Sequence, residues 1–318
     1  MDHHARNLGM SALGLAFLSV AWTKEKLRGY APDRLPKTDV EARIAYILNV
    51  FTALRRFLPD AVDLRGRDVL EVSPGASLGN GALFLAMGAR SYHAIDVFGL
   101  AAGEDPAFYG LLLDRFAESR GLRAQASHAH EAQAGLVQTG LAPADLAQTD
   151  LARARACTAA RDPGSFSYAV DRSFDIPALA QGRSFDLIVS CAAFEHYDNI
   201  AQAIGGLTRV ARPGCAMAHI IDMQTHSRWI RAHDPNNIYR YPEALYRFFA
   251  CPGQPNRKRP VDYIRGFAAA GWEDVRFVPS RTVPPELLGL SLQGLAAPFD
   301  AAGMDMAVLD GALTGRLA

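Results

Sequence analysis

Asp68-Val69-Leu70-Glu71-Val72-Ser73-Pro74-Gly75-Ala76-Ser77-Leu78-Gly79 carries a short apolar strand into a glycine-bearing turn and on into a helix. In an open α/β sheet such a turn bares backbone at the carboxyl end of a strand, where a nucleoside can lie against it. The spacing predicts a helix over Leu78 to Met87 that Gly88 stops, then a second strand, Ser91-Tyr92-His93-Ala94-Ile95-Asp96, ending in an acid. A carboxylate placed there can accept hydrogen bonds from both ribose hydroxyls.

Leu70-Glu71-Val72-Ser73-Pro74-Gly75, then Ala94-Ile95-Asp96, then Phe185-Asp186-Leu187-Ile188-Val189-Ser190 followed by Glu195-His196 resemble, in order and spacing, the class I S-adenosylmethionine (SAM) dependent methyltransferases. The resemblance covers roughly residues 66–318 and leaves out much of the N-terminus and a long middle insertion. It implies an α/β fold: a Rossmann-like, seven-stranded, mostly parallel sheet with helices on both faces and an antiparallel final hairpin. SAM is the implied cofactor. The residues matching Glu71 and Gly75 hold its methionine part, and the one matching Asp96 holds its ribose. Val97 and Phe98 offer an apolar surface to the adenine, with Asp171 or Asp175 accepting from the exocyclic amine. Ser73 and Ser190, at the ends of their strands, join the expected cofactor contacts.

The turn departs from the family's usual Glu/Asp-x-Gly-x-Gly-x-Gly, since Ser73 and Ser77 stand for the first and third glycines and only Gly75 remains. Serine serves where φ is ordinary, whereas a left-handed position penalises it. The same substitution argues against a dinucleotide enzyme, whose fingerprint needs glycine at position 73 for the tight turn beside the pyrophosphate.

With 318 residues, 49% hydrophobic and 21% charged, the chain can bury a full core. Its 33 basic and 33 acidic residues cancel, so no global positive field draws it to nucleic acid. The one compact basic run, Arg257-Lys258-Arg259, reads as a solvated loop. The segment after the central strand, Ser190-Cys191-Ala192-Ala193, lacks the Asn/Asp-Pro-Pro-Tyr/Phe signature of base-amino methyltransferases, and no Pro-Cys nucleophile occurs. Both points favour a small-molecule acceptor over DNA or RNA. The four cysteines are scattered without zinc spacing, which suits a reducing, cytoplasmic setting. Residues 10–22 are apolar but shorter than the ~20 a membrane helix needs, so a helix packed as a lid is expected there and not a span. The oligomeric state is left open, a homodimer included.

We divide the chain into an N-terminal helical cap, 1–65, and a catalytic domain, 66–318, with a helical insertion at about 98–165. Thr38-Asp39-Val40-Glu41 has the form of a capping box, and Val40, Ile44, Ile47, Leu48, Phe51, Leu54 and Leu58 recur at helical spacing. Further strands are expected at 166–170, 184–191, 216–222, 272–278 and 306–309, with Leu313 onward as a further part of the last.

Catalytic candidates follow from position at strand ends. Methyl transfer is an in-line displacement that needs nucleophile, methyl carbon and sulfur held collinear. A hydroxyl or ammonium acceptor also needs a base, and histidine has the pKa to be one. His196, in the Glu-His pair after the central strand, is the first candidate; His226, after the fifth strand, is the second. Both have a bland reading as loop residues. No metal site is expected: Asp222, His226, His233 and Asp234 are too loosely spaced.

Overall fold

The computed structural model describes residues 3–29, 38–58, 62–120 and 147–318. Much of the expected insertion, residues 121–146, lies outside them.

Seven strands form one sheet: β1 (Asp68–Val72), β2 (Ser91–Asp96), β3 (Phe166–Val170), β4 (Phe185–Cys191), β5 (Ala211–Asp222), β6 (Trp272–Thr282) and β7 (Val308–Leu317). Their order is β3-β2-β1-β4-β5-β7-β6, with β7 antiparallel to both neighbours and the other pairings parallel. The chain winds outward from β1 to β3, then restarts at β4 on the other side of β1. The carboxyl ends of β1 and β4 therefore diverge into their loops at a topological switch point, where open sheets bind ligands.

Every residue of β1 is buried, as expected of a central parallel strand covered on both faces. On one face lie α2 (Val40–Phe57), α3 (Gly79–Ala86), α4 (Pro106–Ser119) and α5 (Gln148–Ala160), and on the other α6 (Ile176–Ala180), α7 (Ile200–Val210) and α10 (Pro260–Ala269). The α2 stripe behaves as its periodicity predicts: Ile44, Ile47, Phe51 and Leu54 are buried against α3 and the sheet. Each such side chain contributes about 1.5–3 kcal/mol of apolar burial. The cap is Asp39, whose carboxylate accepts from the Ala42 amide at 3.1 Å, so the helix starts one residue beyond the box that begins at Thr38.

The apolar N-terminal segment lies on α1 (His3–Arg28), and no helix among the described residues is long and apolar enough to cross a membrane. α1 docks on the segment after α8 (Arg228–His233): Asn237 donates to the Met10 carbonyl at 2.9 Å and the Tyr241 hydroxyl to that of Ser11 at 2.9 Å. Gly14 permits the approach, since a Cβ there would stand 1.8 Å from Asn237 Oδ1. Two short helices, α9 (Glu243–Phe248) and α11 (Leu288–Ser291), complete this flank.

Two expectations change. The last strand is one run from Val308 to Leu317, joining the expected 306–309 and 313 onward, because it pairs along its length with both β5 and β6. Arg257 and Arg259 are not solvated. Arg259 is fully buried and donates to the carbonyls of Asp305 and Val308 at 2.6 Å each, while Arg257 donates to the Tyr241 carbonyl at 2.6 Å. The run is a buried clamp on loop carbonyls, which removes it as a nucleic-acid patch.

Candidate active site

The β1 turn forms one wall of the switch-point crevice. Ser73 sits at φ +54°, the left-handed region that penalises a residue with a Cβ. Two contacts hold it there: its amide donates to the Ile95 carbonyl at 2.8 Å, and its hydroxyl lies 3.1 Å from the Tyr197 hydroxyl. The ordinary φ that would excuse serine is thus not what the structure uses. Gly75 follows at φ +70°, and nothing lies within 4 Å of where its Cβ would be. Ser77 takes the other role open to serine, its hydroxyl accepting from the Gly79 amide at 3.2 Å.

Asp96 ends β2 beside that turn. Burial pushes its carboxyl upward, opposed by the amides of Phe98, Val97 and Gly75 that point at it. The Phe98 amide donates to the carboxylate at 3.1 Å, and half-buried Val97 and Gly75 of the β1 turn lie beside it. Open backbone at Gly75 next to an anchored acid fits the ribose and methionine portions of SAM, and these are the residues that would hold them.

Other expected cofactor residues are engaged elsewhere. Glu71 is buried and braces the fold: Asn80 donates to Oε1 at 2.8 Å and Tyr92 to Oε2 at 2.5 Å. Burial lifts its carboxyl to about 7 against those two hydrogen bonds. Strand alternation turns Ser190 to the opposite face of the sheet from Glu71, where its hydroxyl pairs with His219 Nδ1 at 2.9 Å in a fully buried site. Asp175 is an exposed cap of α6, its carboxylate accepting from the Ala178 amide at 3.4 Å, and Asp171 is likewise occupied by the Ser173 amide at 2.7 Å. The hydroxyl of Ser190 and the carboxylate of Asp175 are thus engaged with His219 and with the start of α6.

The facing wall comes from β4 and β5. After β4 a single 3-10 turn, Phe194–His196, places Glu195 inside and His196 at the crevice. His226, in the loop after β5, meets it with ring centroids 4.9 Å apart. Burial pushes His196 down to about 4, so its imidazole is neutral near pH 7 and a weak proton acceptor on its own. Glu195 is 1% exposed and burial lifts it to about 8; the backbone of Glu195 and Asp222 lies near, but neither carboxylate oxygen reaches a hydrogen-bond partner. Asp222 is taken by Arg231 and by Gln224 Nε2 at 3.0 Å.

Tyr46 on α2 lies off the apolar stripe, so sequence periodicity does not single it out. It keeps 55% of its surface open, yet burial of its hydroxyl end raises its phenol to about 12, with Cys191, Glu71 and Glu195 adding to the effect. Tyr197, packed on Phe174 and Phe194, is a second residue missed, since its hydrogen bond to Ser73 spans two loops remote in sequence.

Residues 128–218 match the family model described as a methyltransferase domain. That span includes β3 and β4 and reaches into β5, but not the β1 turn. No curated protein sequence matches the chain. Among solved structures the chain is similar to the CurJ carbon methyltransferase, with 12% identity, 97% of this chain and 67% of that one covered, and a TM-score of 0.41. It is also similar to a SAM-dependent methyltransferase from Mesorhizobium loti, at 15% identity, 83% and 95% coverage and a TM-score of 0.40. A third is magnesium protoporphyrin IX methyltransferase from Synechocystis PCC 6803 with bound SAH, at 10% identity, 97% and 100% coverage and a TM-score of 0.41. The strand order is that of the Rossmann-like fold expected from the sequence, and the stretch through β3 and β4 carries the match to a methyltransferase domain, which implies SAM as cofactor.

Proposed function

We propose that the protein methylates an oxygen of a small-molecule acceptor, a sugar or a secondary metabolite, in a reducing, cytoplasmic setting. The observation that supports this reading is the Ser73–Tyr197 hydroxyl contact at 3.1 Å, which sets the β1 turn against the loop after β4 where His196 lies and His226 joins it; in this reading Gly75 and Asp96 take the cofactor, and His196 and His226 the acceptor. Bound SAM supplies an electrophilic methyl group on sulfur. Asp96 and the Gly75 backbone fix the nucleoside, and Val97 flanks it. Glu71 holds the turn from behind through Asn80 and Tyr92. His196 and His226 receive the acceptor hydroxyl, whose proton must leave as the C–O bond forms.

A SAM-binding scaffold without turnover is the rival suggested by Ser73 and Ser77. Against it, the Tyr197 hydroxyl supports Ser73 in the conformation a glycine would take, so the turn keeps its shape. Calorimetry with SAM, followed by incubation with labelled SAM and a metabolite extract, tests the proposal. The expected result is saturable binding and a labelled small product that the His226→Ala protein does not make. Tight SAM binding with no product from any acceptor pool would favour the scaffold, and a product methylated on nitrogen or carbon would move the assignment from oxygen.

A further inference from the structure

Glu195 poses a problem that the proposed reaction leaves unsolved. Its carboxyl group is 1% exposed, and both oxygens lack a hydrogen-bond partner. A buried carboxyl left this way costs several kcal/mol unless something satisfies it. The nearby cation, Arg231, is committed to Asp222 and to the Thr225 carbonyl. His196 Nδ1 is buried and unpartnered in the same place.

We propose that Glu195, His196 and His226 bind one divalent first-row transition ion of the Zn2+ class, with its open positions toward the acceptor. One ligand atom from each of the three side chains lies within 4.8 Å of the other two. Donors sharing such an ion stand roughly 3–3.5 Å apart, given metal–ligand distances of about 2.0–2.2 Å. Closure therefore needs side-chain adjustments of about an ångström, which the exposed His226 side chain is free to make. Two imidazoles and one carboxylate suit Zn2+, Mn2+ or Fe2+ rather than Ca2+ or Mg2+, which prefer oxygen alone. Three protein ligands leave a coordination position for substrate, the arrangement of a catalytic site rather than a structural one.

The inference rests on reading this end of the crevice as the acceptor side. An acceptor hydroxyl bound to the ion is acidified and gives its proton to water. The resulting oxygen takes the methyl carbon as the carbon–sulfur bond breaks, and the sulfur leaves as a neutral thioether. The two histidines then serve as ligands rather than proton acceptors. The sequence expectation of no metal site is revised accordingly, because the ligands come from two loops that only the β4–β5 pairing makes neighbours.

The test uses the full-length protein carrying His3→Ala and His4→Ala, so that the N-terminal imidazoles cannot bind the probe. After chelator treatment it is titrated with Zn2+ by calorimetry and with Co2+ by visible absorption. One ion per chain is expected, with ligand-field bands of a low-coordinate nitrogen and oxygen site. His226→Ala should weaken binding by about a hundredfold, and Glu195→Gln likewise. His226 is exposed, so its variant keeps the test valid if burial makes the Glu195 variant unstable. Absence of stoichiometric binding, or binding that His226→Ala leaves unchanged, overturns the proposal. SAM affinity of the metal-free protein is measured in parallel: its retention separates failure of the ion site from failure of the cofactor reading.

Discussion

Gly75 and Gly66 form a natural matched pair. Both have φ +70°, and neither has an atom within 4 Å of an added Cβ. Gly75 lies in the turn at the carboxyl end of β1, whereas Gly66 lies before β1, its amide donating to the Gly88 carbonyl at 2.9 Å, far along the strand from the crevice. Alanine at either site meets the same left-handed penalty of about 1–2 kcal/mol, partly offset by the smaller entropy of the unfolded chain. The net cost is about 1 kcal/mol, which lowers Tm by roughly 2–3 °C in a chain of this size. The two variants should be equally destabilised.

They should differ in binding. If the nucleoside lies on the Gly75 backbone, the new methyl group occupies its contact surface and the ligand must shift or lose hydrogen bonds, a cost comparable to overpacking, about 2 kcal/mol. That corresponds to roughly a thirtyfold rise in the Kd for SAM. Calorimetry with SAM on Gly75→Ala, Gly66→Ala and the parent, beside thermal melts of all three, measures both effects. Equal SAM affinity in the two variants, with equal loss of Tm, would show that the cofactor does not rest on this turn, and the site would have to be sought elsewhere.

Asp96→Ala should weaken SAM by at least about tenfold through loss of charge-assisted bonds to the ribose; unchanged calorimetric affinity would remove the ribose assignment. Asp68 is pushed up by burial but held at about 2 overall by Arg90, Ser91 and Arg212, against an ordinary value of 3.8. Because its folded pKa is depressed, it contributes about 2 kcal/mol of stability above the unfolded value, lost as pH falls through the folded one; Asp68→Asn should therefore melt lower at pH 7 and converge with the parent near pH 2. Arg259→Met removes the guanidinium donor from the carbonyls of Met304, Asp305 and Val308, of which Asp305 keeps the Val308 amide at 2.9 Å, so two lost bonds cost about 1–3 kcal/mol each; a Tm fall of at least about 4 °C is expected, and an unshifted melt would contradict the clamp.

What the sequence makes legible here is what short-range physics decides. The β1 turn, the acid at Asp96, the α2 stripe and the stop at Gly88 each depend on residues within one or two turns of one another, and all lie where periodicity and turn chemistry put them. Assignments that depend on what a side chain faces are harder to read. Ser190 and Glu71 both sit near strand ends, but β1 and β4 in register set them on opposite faces, and only the pairing Glu71 with Val189 reveals it. Arg259 reads as solvated because its acceptors lie on a loop after residue 300, brought back by β7 pairing with β5. Ser73 tolerates a glycine conformation through the Tyr197 hydroxyl, which arrives from beyond β4.

The same distinction explains why the cluster of Glu195, His196 and His226 is half legible. Glu195-His196 follows β4 directly and stands out as a pair, and His226 stands out as a histidine after β5. That the three share one pocket follows from β4 lying beside β5, with Cys191 opposite Ile220 at the end of the ladder. Parallel strands in adjacent positions deliver their following loops to the same rim, so residues remote in sequence become neighbours wherever two such loops turn inward. Glu195 then acquires its unusual character from enclosure alone: identical in sequence to a solvated loop carboxylate, it is unpartnered because the turn at 194–196 points it inward. Chemistry at the switch point is therefore carried by which loops the strand order makes adjacent as much as by any motif within one of them.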